Sequence, residues 1–179
     1  MTDFYLRELG RQDVPVINRW RNDRQVIDHL GGPFRYVGEE VDGNWVNGYL
    51  ANRSHAVRLA VCQKTNDEVV GAVYLLGIDW LVKSCEFAIW IGSVSHQGRG
   101  VGLFATQEAL RHAFEDLNLN RVHLTVLDDN ARAINLYRKV GFSLEGTLRQ
   151  AAFKRGAYRD MLQMSMLADD YWHMHAPGK

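Results

Sequence analysis

The fold is decided by a glycine-rich stretch in the second half of the chain, which reads Gln97-Gly98-Arg99-Gly100-Val101-Gly102. A run with strand-like alternation, 85–91, precedes it, and apolar residues recur at helical spacing after it, from Leu103 to Leu117. Glycines let the backbone turn tightly and approach a ligand, and the free amide groups at a helix start attract anions. The stretch therefore predicts a strand, a phosphate-binding turn and a helix in succession.

Three interpretations of this stretch compete. A plain tight turn before a helix requires no ligand. A dinucleotide site has the spacing G-x-G-x-x-G and an acidic residue about 20 residues later, and a P-loop contains Gly-Lys-Ser/Thr. The spacing here is G-x-G-x-G, no acid ends the next strand, and no lysine follows the glycines. A different cofactor that carries a pyrophosphate remains the third interpretation.

The rest of the chain alternates between strand-like and helix-like segments. Strands are predicted at 4–9, 57–62, 69–76, 85–91, 121–126, 143–150 and 160–167, and helices at 39–52, 103–117 and 130–140 and after Asp13. In the helix over 39–52, Val41, Trp45 and Tyr49 recur at fourfold spacing. The order predicts a mixed α/β protein with one strand–helix–strand crossover.

Composition predicts one domain over residues 1–179, with a flexible tail over 170–179. Lysine plus arginine and aspartate plus glutamate number 21 each, so we expect neither nucleic acid nor a membrane as a partner. Cys62 and Cys85 lie in apolar runs, and no spacing predicts a disulfide framework or a metal site. We find no signal-peptide pattern and no apolar run of about 18 residues, and we expect a cytoplasmic protein.

A second block of residues follows the predicted strand 121–126. It consists of Val126, Asn130, Ala133, Leu136, Tyr137, Gly141 and Phe142. Together with Gln97-x-x-Gly100-x-Gly102, this block resembles the two signatures of GNAT acetyltransferases. Three further segments resemble those of one branch of this family, which includes ribosomal-protein N-terminal acetyltransferases and spermidine acetyltransferases. They are 20–23, 144–149 and 158–160.

The resemblance implies the GNAT fold, with a central, mostly antiparallel, twisted sheet of six to seven strands that splays at the cofactor site, flanked by about four helices. It also implies acetyl-CoA (coenzyme A) as the cofactor, and a homodimer is common in this branch. The residues that it implies for cofactor binding are Ile89, Ile91, Val94, Gln97, Gly98, Arg99, Gly100, Val101, Gly102, Asn130, Ala133 and Tyr137. Asn130 is also expected to cap the helix after it.

Acetyl transfer to an amine requires a group that accepts the amine proton and a group that protonates the leaving thiolate. In the resembling family the tyrosine that Tyr137 matches places its hydroxyl near the coenzyme A sulfur, so Tyr137 is the candidate acid; core packing is the alternative. Glu86 is the candidate base, because the family often has a glutamate here and apolar neighbours disfavour a charged carboxylate. A salt-bridged surface acid is the alternative for Glu86. Neither cysteine has a histidine partner in the sequence pattern, so no acyl-enzyme is expected.

The sequence indicates the acceptor amine less clearly than the cofactor. In the resembling family the N-terminal helices and C-terminal strands build its site, and the candidates for substrate binding are Trp20, Asn22, Phe34, Tyr36 and Glu86. Glu39, Glu40 and Asp42 either attract a cationic amine or stabilise a helix start. The branch favours a protein or peptide N-terminal amine as acceptor. The alternatives are a small amine (a polyamine, amino sugar or aminated antibiotic) and a non-catalytic module that binds coenzyme A.

Overall fold

A single sheet of seven strands forms the centre of the molecule. The computed structural model describes residues 2–92, 98 and 100–175. Its strands are β1 (Phe4–Glu8), β2 (Ala56–Gln63), β3 (Val69–Asp79), β4 (Ser84–Ile91), β5 (Arg121–Leu127), β6 (Ser143–Lys154) and β7 (Ala157–Leu167). Their order is β1-β2-β3-β4-β5-β7-β6, and every pair is antiparallel except β4 with β5. The predicted mixed α/β class and mostly antiparallel sheet are confirmed.

Six α-helices occur among the described residues. They are α1 (Val14–Arg21), α2 (Arg24–Ile27), α3 (Glu39–Ala51), α4 (Val101–Arg111), α5 (Ala131–Lys139) and α6 (Ala168–His175), and a π-helical turn, His112–Asp116, continues α4. The sequence predicted about four helices, because α2 and α6 are too short to show a clear helical periodicity. The crossover from β4 to β5 runs through the glycine-rich stretch and α4, as a parallel pair requires.

The flexible tail that was predicted over 170–179 is wrong as far as residue 175. Helix α6 packs there because Tyr171 is buried. Its ring stacks on Phe114 with the centroids 4.9 Å apart, and its hydroxyl donates to Glu115 Oε1 at 2.6 Å. The aromatic side chain therefore gives this segment a tertiary contact that composition alone did not predict.

The two faces of the sheet bury separate apolar clusters. Because side chains alternate along a strand, Phe87 and Ile89 face the cluster under α4 and α5, whereas Ala88 and Trp90 face the cluster under α1 and α3. Trp20 is only 5% exposed and covers the end of β4. A Cβ on Gly92 would lie 1.7 Å from the Cε2 atom of this indole, so glycine is needed to admit it.

Helix α3 buries a face that overlaps the predicted one, because Tyr49 is buried and Trp45 packs against the core. Val41 is 57% exposed, whereas Val46 is fully buried, so the buried face is displaced from the Val41–Trp45 line. The reason is Asp42, which is buried and accepts hydrogen bonds from Arg21 Nη1 at 2.5 Å and Asn18 Nδ2 at 2.8 Å. Asp42 is thus a partner of α1 and not a surface group that attracts an amine.

Candidate active site

The sheet opens between β4 and β5. These two strands are paired only from Ser84 with Arg121 to Glu86 with His123, and they diverge beyond that point. On its other side β4 stays paired with β3 as far as Ile91. The backbone groups of Phe87, Ile89 and Ile91 that are directed away from β3 therefore have no strand partner in the described part of the chain. The splay implied by the resemblance is present, and it leaves amide groups to which an extended ligand can hydrogen-bond.

The glycine-rich stretch lies at the start of α4, on the connection that leaves β4. Gly98 and Gly100 have φ values of 84° and 83°, a left-handed conformation that favours glycine, and a Cβ on either would meet no atom of the described residues within 4 Å. Gly102 is different, because a Cβ there would lie 3.3 Å from Leu136 Cδ2 of α5. Val101 is buried and anchors the helix. Three predicted cofactor residues, Val94, Gln97 and Arg99, lie outside the described residues.

This arrangement fits the pyrophosphate of coenzyme A. Gly100 precedes the first turn of α4 and no side chain caps that turn. The amide groups of the turn and the helix dipole attract negative charge. No side chain of the described residues crowds Gly98 or Gly100, so a ligand can approach their backbone from that side. The crevice between the strands would then hold the pantetheine arm.

Tyr137 lies on α5, beside the point where the strands part. Its ring meets Phe87 of β4 edge-on with the centroids 6.1 Å apart and Phe142 at 5.8 Å. Burial raises the pKa of Tyr137 to about 12. The hydroxyl makes no hydrogen bond with the residues described. A phenol in this state keeps its proton at neutral pH and can donate it to a departing thiolate.

Asn130 caps α5, as the sequence predicts. Its Oδ1 accepts a hydrogen bond from the Ala133 amide at 3.2 Å, and its Nδ2 donates to the His29 carbonyl at 3.1 Å. Ala133 is partly buried against the core. Asn130 therefore connects the end of β5 to the segment after α2, in addition to its role as a cap.

Glu86 is exposed, on the sheet face that it shares with Ala88 and Trp90. The expected effect of apolar neighbours on its charge does not apply, because the side chain is exposed. Glu86 makes no ion pair with any described residue. Its carboxylate is therefore free to contact an amine at the vertex of the crevice, which is the point where β4 and β5 begin to part. Its role as the base stays a prediction.

Besides Glu86, four residues were predicted to line the acceptor site, and the structure distributes them differently. Trp20 is part of the core under α1 and does not line a pocket. The side chain of Asn22 is occupied with backbone groups, donating to Val37 O at 2.8 Å and accepting from Val37 N at 3.1 Å. Phe34 is half-buried beneath the guanidinium of Arg24, 4.1 Å from the ring centroid, and Tyr36 is 85% exposed. Of these four, Phe34 and Tyr36 remain available to a substrate.

A clamp between the hairpin β6–β7 and the segment after α2 was not predicted from the sequence. Lys154 is buried, and its ammonium group donates to the carbonyls of Ile27, at 2.9 Å, and Gly32. Burial lowers the pKa of Lys154. Arg155 pairs with Asp28 at 2.7 Å. One signal was available: Lys154 lies two residues after Ala152, which is buried on the same face of β6.

The remaining chemistry of the described residues is limited. Cys62 and Cys85 are buried and unbridged. Burial, with the neighbouring Glu86 charge, raises the pKa of Cys85 to about 12, which makes it a poor nucleophile. No group of histidine, cysteine, aspartate or glutamate side chains in the described ranges is placed to hold a metal ion. No helix in those ranges is long and apolar enough to cross a membrane.

Comparison with known proteins gives concordant matches. The family profile described as "Acetyltransferase (GNAT) domain" matches residues 3–143. The chain is 31% identical to the spermidine N(1)-acetyltransferase of Escherichia coli, over 97% of this chain and 91% of that protein. It is 30% identical to the ribosomal-protein-serine acetyltransferase of Escherichia coli, over 83% of each chain.

Solved structures give the same result. The spermidine N-acetyltransferase from Vibrio cholerae in complex with CoA and spermine superposes with a TM-score of 0.88 at 29% identity, covering 94% of this chain and 98% of that one. A dodecameric structure of the same enzyme in an intermediate state is 28% identical and covers 96% of this chain and 98% of that one.

Proposed function

Because this chain belongs to the GNAT acetyltransferase family and is an acetyl-CoA-dependent N-acetyltransferase, we propose that its acceptor is a primary amine of a polyamine. The observation that carries the proposal is the match, over almost the full length of both chains, to spermidine acetyltransferases, one of them bound to CoA and spermine. The match includes the segments that would meet the acceptor, and not only the cofactor-binding half. We expect the reaction in the cytoplasm, where acetyl-CoA is available.

Carboxylates at the crevice support this choice. Glu86 is exposed at its vertex, and Asp128 and Asp129 are exposed directly after β5, at its open end. None of the three makes an ion pair with a described residue. A polyamine carries several ammonium groups along a flexible chain, so it can place one amine at the vertex while others meet the carboxylates outside.

The side chains divide the chemistry between them. Bound acetyl-CoA supplies a thioester carbonyl and a thiolate leaving group. Glu86 takes the proton of the ammonium group, which frees the nitrogen lone pair for attack. Tyr137, whose pKa is raised to about 12, supplies a proton to the departing sulfur. Gly98, Gly100 and the first turn of α4 hold the diphosphate, and the open edge of β4 at Ile89 and Ile91 holds the pantetheine amides.

A protein N-terminal amine is the second candidate acceptor. Its support is the 30% identity to a ribosomal-protein-serine acetyltransferase. That match covers 83% of this chain, less than the 97% covered by the spermidine acetyltransferase of the same organism. The polyamine therefore has the stronger support.

A thiol-release assay with acetyl-CoA and an amine panel tests the proposal. The panel contains spermidine, spermine, an amino sugar, an aminoglycoside and a peptide that begins with serine. We expect kcat/KM for spermidine to exceed that for the peptide by about 100-fold, with one acetyl group on the product by mass spectrometry. A preference for the peptide would favour the second candidate. Tight coenzyme A binding without turnover of any amine would indicate a non-catalytic module.

A matched pair of substrates tests the role of the outer carboxylates. In the double variant Asp128→Asn, Asp129→Asn, we expect the KM for spermidine to rise about tenfold, because two charges that attract the distal ammonium groups are lost. The KM for a monoamine of similar length should stay within twofold. An equal rise for both amines would contradict electrostatic recognition of the polyamine.

We also propose that the chain self-associates. The resembling branch includes dimers, and a structural relative is described as dodecameric. Trp172 on α6 is 45% exposed and offers an apolar contact surface. Light scattering of the purified protein measures the mass directly. A mass of one chain at 20 µM would contradict self-association.

A further inference from the structure

A histidine lies beside the candidate base at the vertex of the crevice. Glu86 of β4 and His123 of β5 are register partners and form the last pair before the strands diverge. Neighbouring strands are about 4.8 Å apart. Val122 and Leu124 are buried in the core under α4 and α5, so His123 points to the opposite face, which Glu86 shares. The imidazole and the carboxylate are therefore side by side on the accessible face of the sheet.

The imidazole of His123 has an unused hydrogen-bonding atom. The residue is half-buried, and its Nδ1 atom is buried without a hydrogen-bond partner in the part of the chain that the structure describes. Buried ring nitrogens in native proteins are nearly always satisfied by protein, by water or by a ligand. This nitrogen is therefore left without a partner beside the carboxylate of its register partner, Glu86.

The charged groups around His123 are Glu86, Glu145 and Arg121. Glu145 is already satisfied, because Arg121 donates to it at 2.7 and 2.5 Å and Ser165 donates to it at 2.8 Å. Ser165 is also the register partner of His123 on β7. Glu86 is thus the one anion of this group without an ion pair among the described residues. The imidazole of His123 therefore has one unpaired carboxylate beside it, that of Glu86.

We propose that His123 is a positioning residue that holds the Glu86 carboxylate and shares with it the proton taken from the acceptor amine. The inference rests on the proposed acetyl transfer and adds a residue to it. Imidazole is the side chain whose charge ordinarily changes between about pH 5 and 8. A carboxylate backed by an imidazole therefore accepts an ammonium proton near neutral pH more readily than a carboxylate alone.

The proton and bond changes balance. One N–H bond of the ammonium group breaks, and its proton passes to the pair formed by Glu86 and His123. The nitrogen lone pair forms the bond to the acetyl carbon, the carbon–sulfur bond breaks, and the sulfur takes a proton from Tyr137. The nitrogen then loses a second proton, which restores Tyr137 through solvent. The pair releases its proton to solvent, and the products are an amide and a thiol.

Two variants at one position test the inference by kinetics. His123→Phe removes the ring nitrogens, and His123→Gln keeps a hydrogen-bonding group that does not titrate. We expect kcat to fall about 100-fold in His123→Phe and about tenfold in His123→Gln. The KM for acetyl-CoA should stay within twofold, and the acid limb of the pH profile of kcat/KM for the amine should move in both variants. If His123→Phe keeps a kcat within twofold of wild type and its acid limb does not move, the positioning role of His123 is overturned.

A control position separates this effect from the loss of any histidine. His112 lies on the π-helical turn after α4, where its Nδ1 is 2.7 Å from Asp116 Oδ2. His112→Gln should leave kcat and the pH profile unchanged. If His112→Gln reproduces the effects of His123→Gln, the positioning role is rejected.

A second measurement does not depend on turnover. The titration of the His123 ring is followed by NMR in wild type and in Glu86→Gln. Loss of the adjacent negative charge disfavours the imidazolium, so the midpoint should move to lower pH in Glu86→Gln while that of His112 stays in place. Equal midpoints would overturn the pairing even in an active enzyme. Absence of turnover in wild type with every amine would instead reject the proposed function, and the NMR result would still decide the pairing.

Discussion

Strand β5 has two unlike edges. The edge that faces β7 is paired at seven positions, from Arg121 to Leu127, whereas the edge that faces β4 is paired at three. A fully paired edge satisfies its backbone groups within the protein, and an open edge leaves them to a ligand. Strand β5 thus serves both stability and chemistry, with a separate edge for each. Substitutions near the open edge should change activity, and substitutions near the closed edge should change stability.

The largest effect is expected at the open edge, from Tyr137→Phe. This change removes the proposed acid, so kcat should fall about 10³-fold, within the range for general acid–base catalysis. The affinity for acetyl-CoA should stay within threefold, because the ring and its contacts with Phe87 and Phe142 remain. Thiol release and calorimetry measure the two quantities.

Stability is the control for Tyr137→Phe. The hydroxyl makes no hydrogen bond to a described residue, so its removal should leave the free energy of unfolding nearly unchanged. A large loss of stability would contradict the assignment of this residue to activity alone, and an unchanged kcat would remove it from the acid role.

The closed edge should show the opposite behaviour in Met164→Ala. Met164 of β7 is fully buried and is the register partner of Leu124 and Leu144. The cavity left by the truncation should lower the free energy of unfolding by about 3 kcal/mol. Urea denaturation measures this, and kcat per folded molecule should stay near that of wild type.

Met164→Leu is the matched control at this position, because it nearly preserves the side-chain volume. Its cost should stay below about 1.5 kcal/mol. If Met164→Ala lowered kcat of the folded enzyme as strongly as Tyr137→Phe, the division of labour between the two edges would not hold.

A smaller effect is expected from Gly100→Ala at the mouth of the crevice. Gly100 has a φ of 83°, and an alanine in this left-handed region costs about 1–2 kcal/mol. The backbone should relax away from the shape that holds the diphosphate, so the Kd for coenzyme A should rise about tenfold by calorimetry. Gly146→Ala on β6 is the control, because a Cβ there meets no atom within 4 Å. Equal Kd values for Gly100→Ala and wild type would separate the glycine from cofactor binding.

The smallest effect is expected from Glu145 of β6, which forms an ion pair with Arg121 of β5. Arg121, with help from Ser165, lowers the pKa of Glu145 from its ordinary 4.5 to about 2. A lowered carboxyl pKa contributes stability above pH 4.5, and the contribution is lost as the pH falls toward 2. Glu145→Gln should therefore lower stability at pH 7 by less than about 1 kcal/mol, since the pair is partly exposed. Urea curves of the two proteins should converge near pH 2, and a constant difference would contradict the ion pair as its cause.

Local signals in the sequence predicted the parts of the site that depend on neighbouring residues. The glycine stretch predicted the turn before α4. Asn130 predicted the start of α5 and Gly141 its end, where φ is 104°. These features depend on backbone conformations and caps that a few adjacent residues determine. The strand-like alternation over 85–91 likewise predicted β4.

Other parts of the site depend on residues far apart in the chain. The burial of Asp42 depends on Arg21, and the burial of Trp20 depends on Gly92, which leaves room for the indole. The clamp on the segment after α2 comes from Lys154, 127 residues after Ile27. No local pattern contains these distances. The sequence therefore left the role of Asp42 open between attracting an amine and stabilising a helix start, and it placed Trp20 among the substrate-binding candidates.

The sequence by itself determined the family, the cofactor and the order of strands and helices, because short motifs and periodicities are local properties. Only the tertiary structure decided that β4 and β5 separate after Glu86 and His123, and that Trp20 packs inside. The physical reason is that burial and strand pairing are set by partners brought together from distant segments. The neighbouring Glu86 and His123, on strands joined through α4, exist as a pair only in the folded sheet.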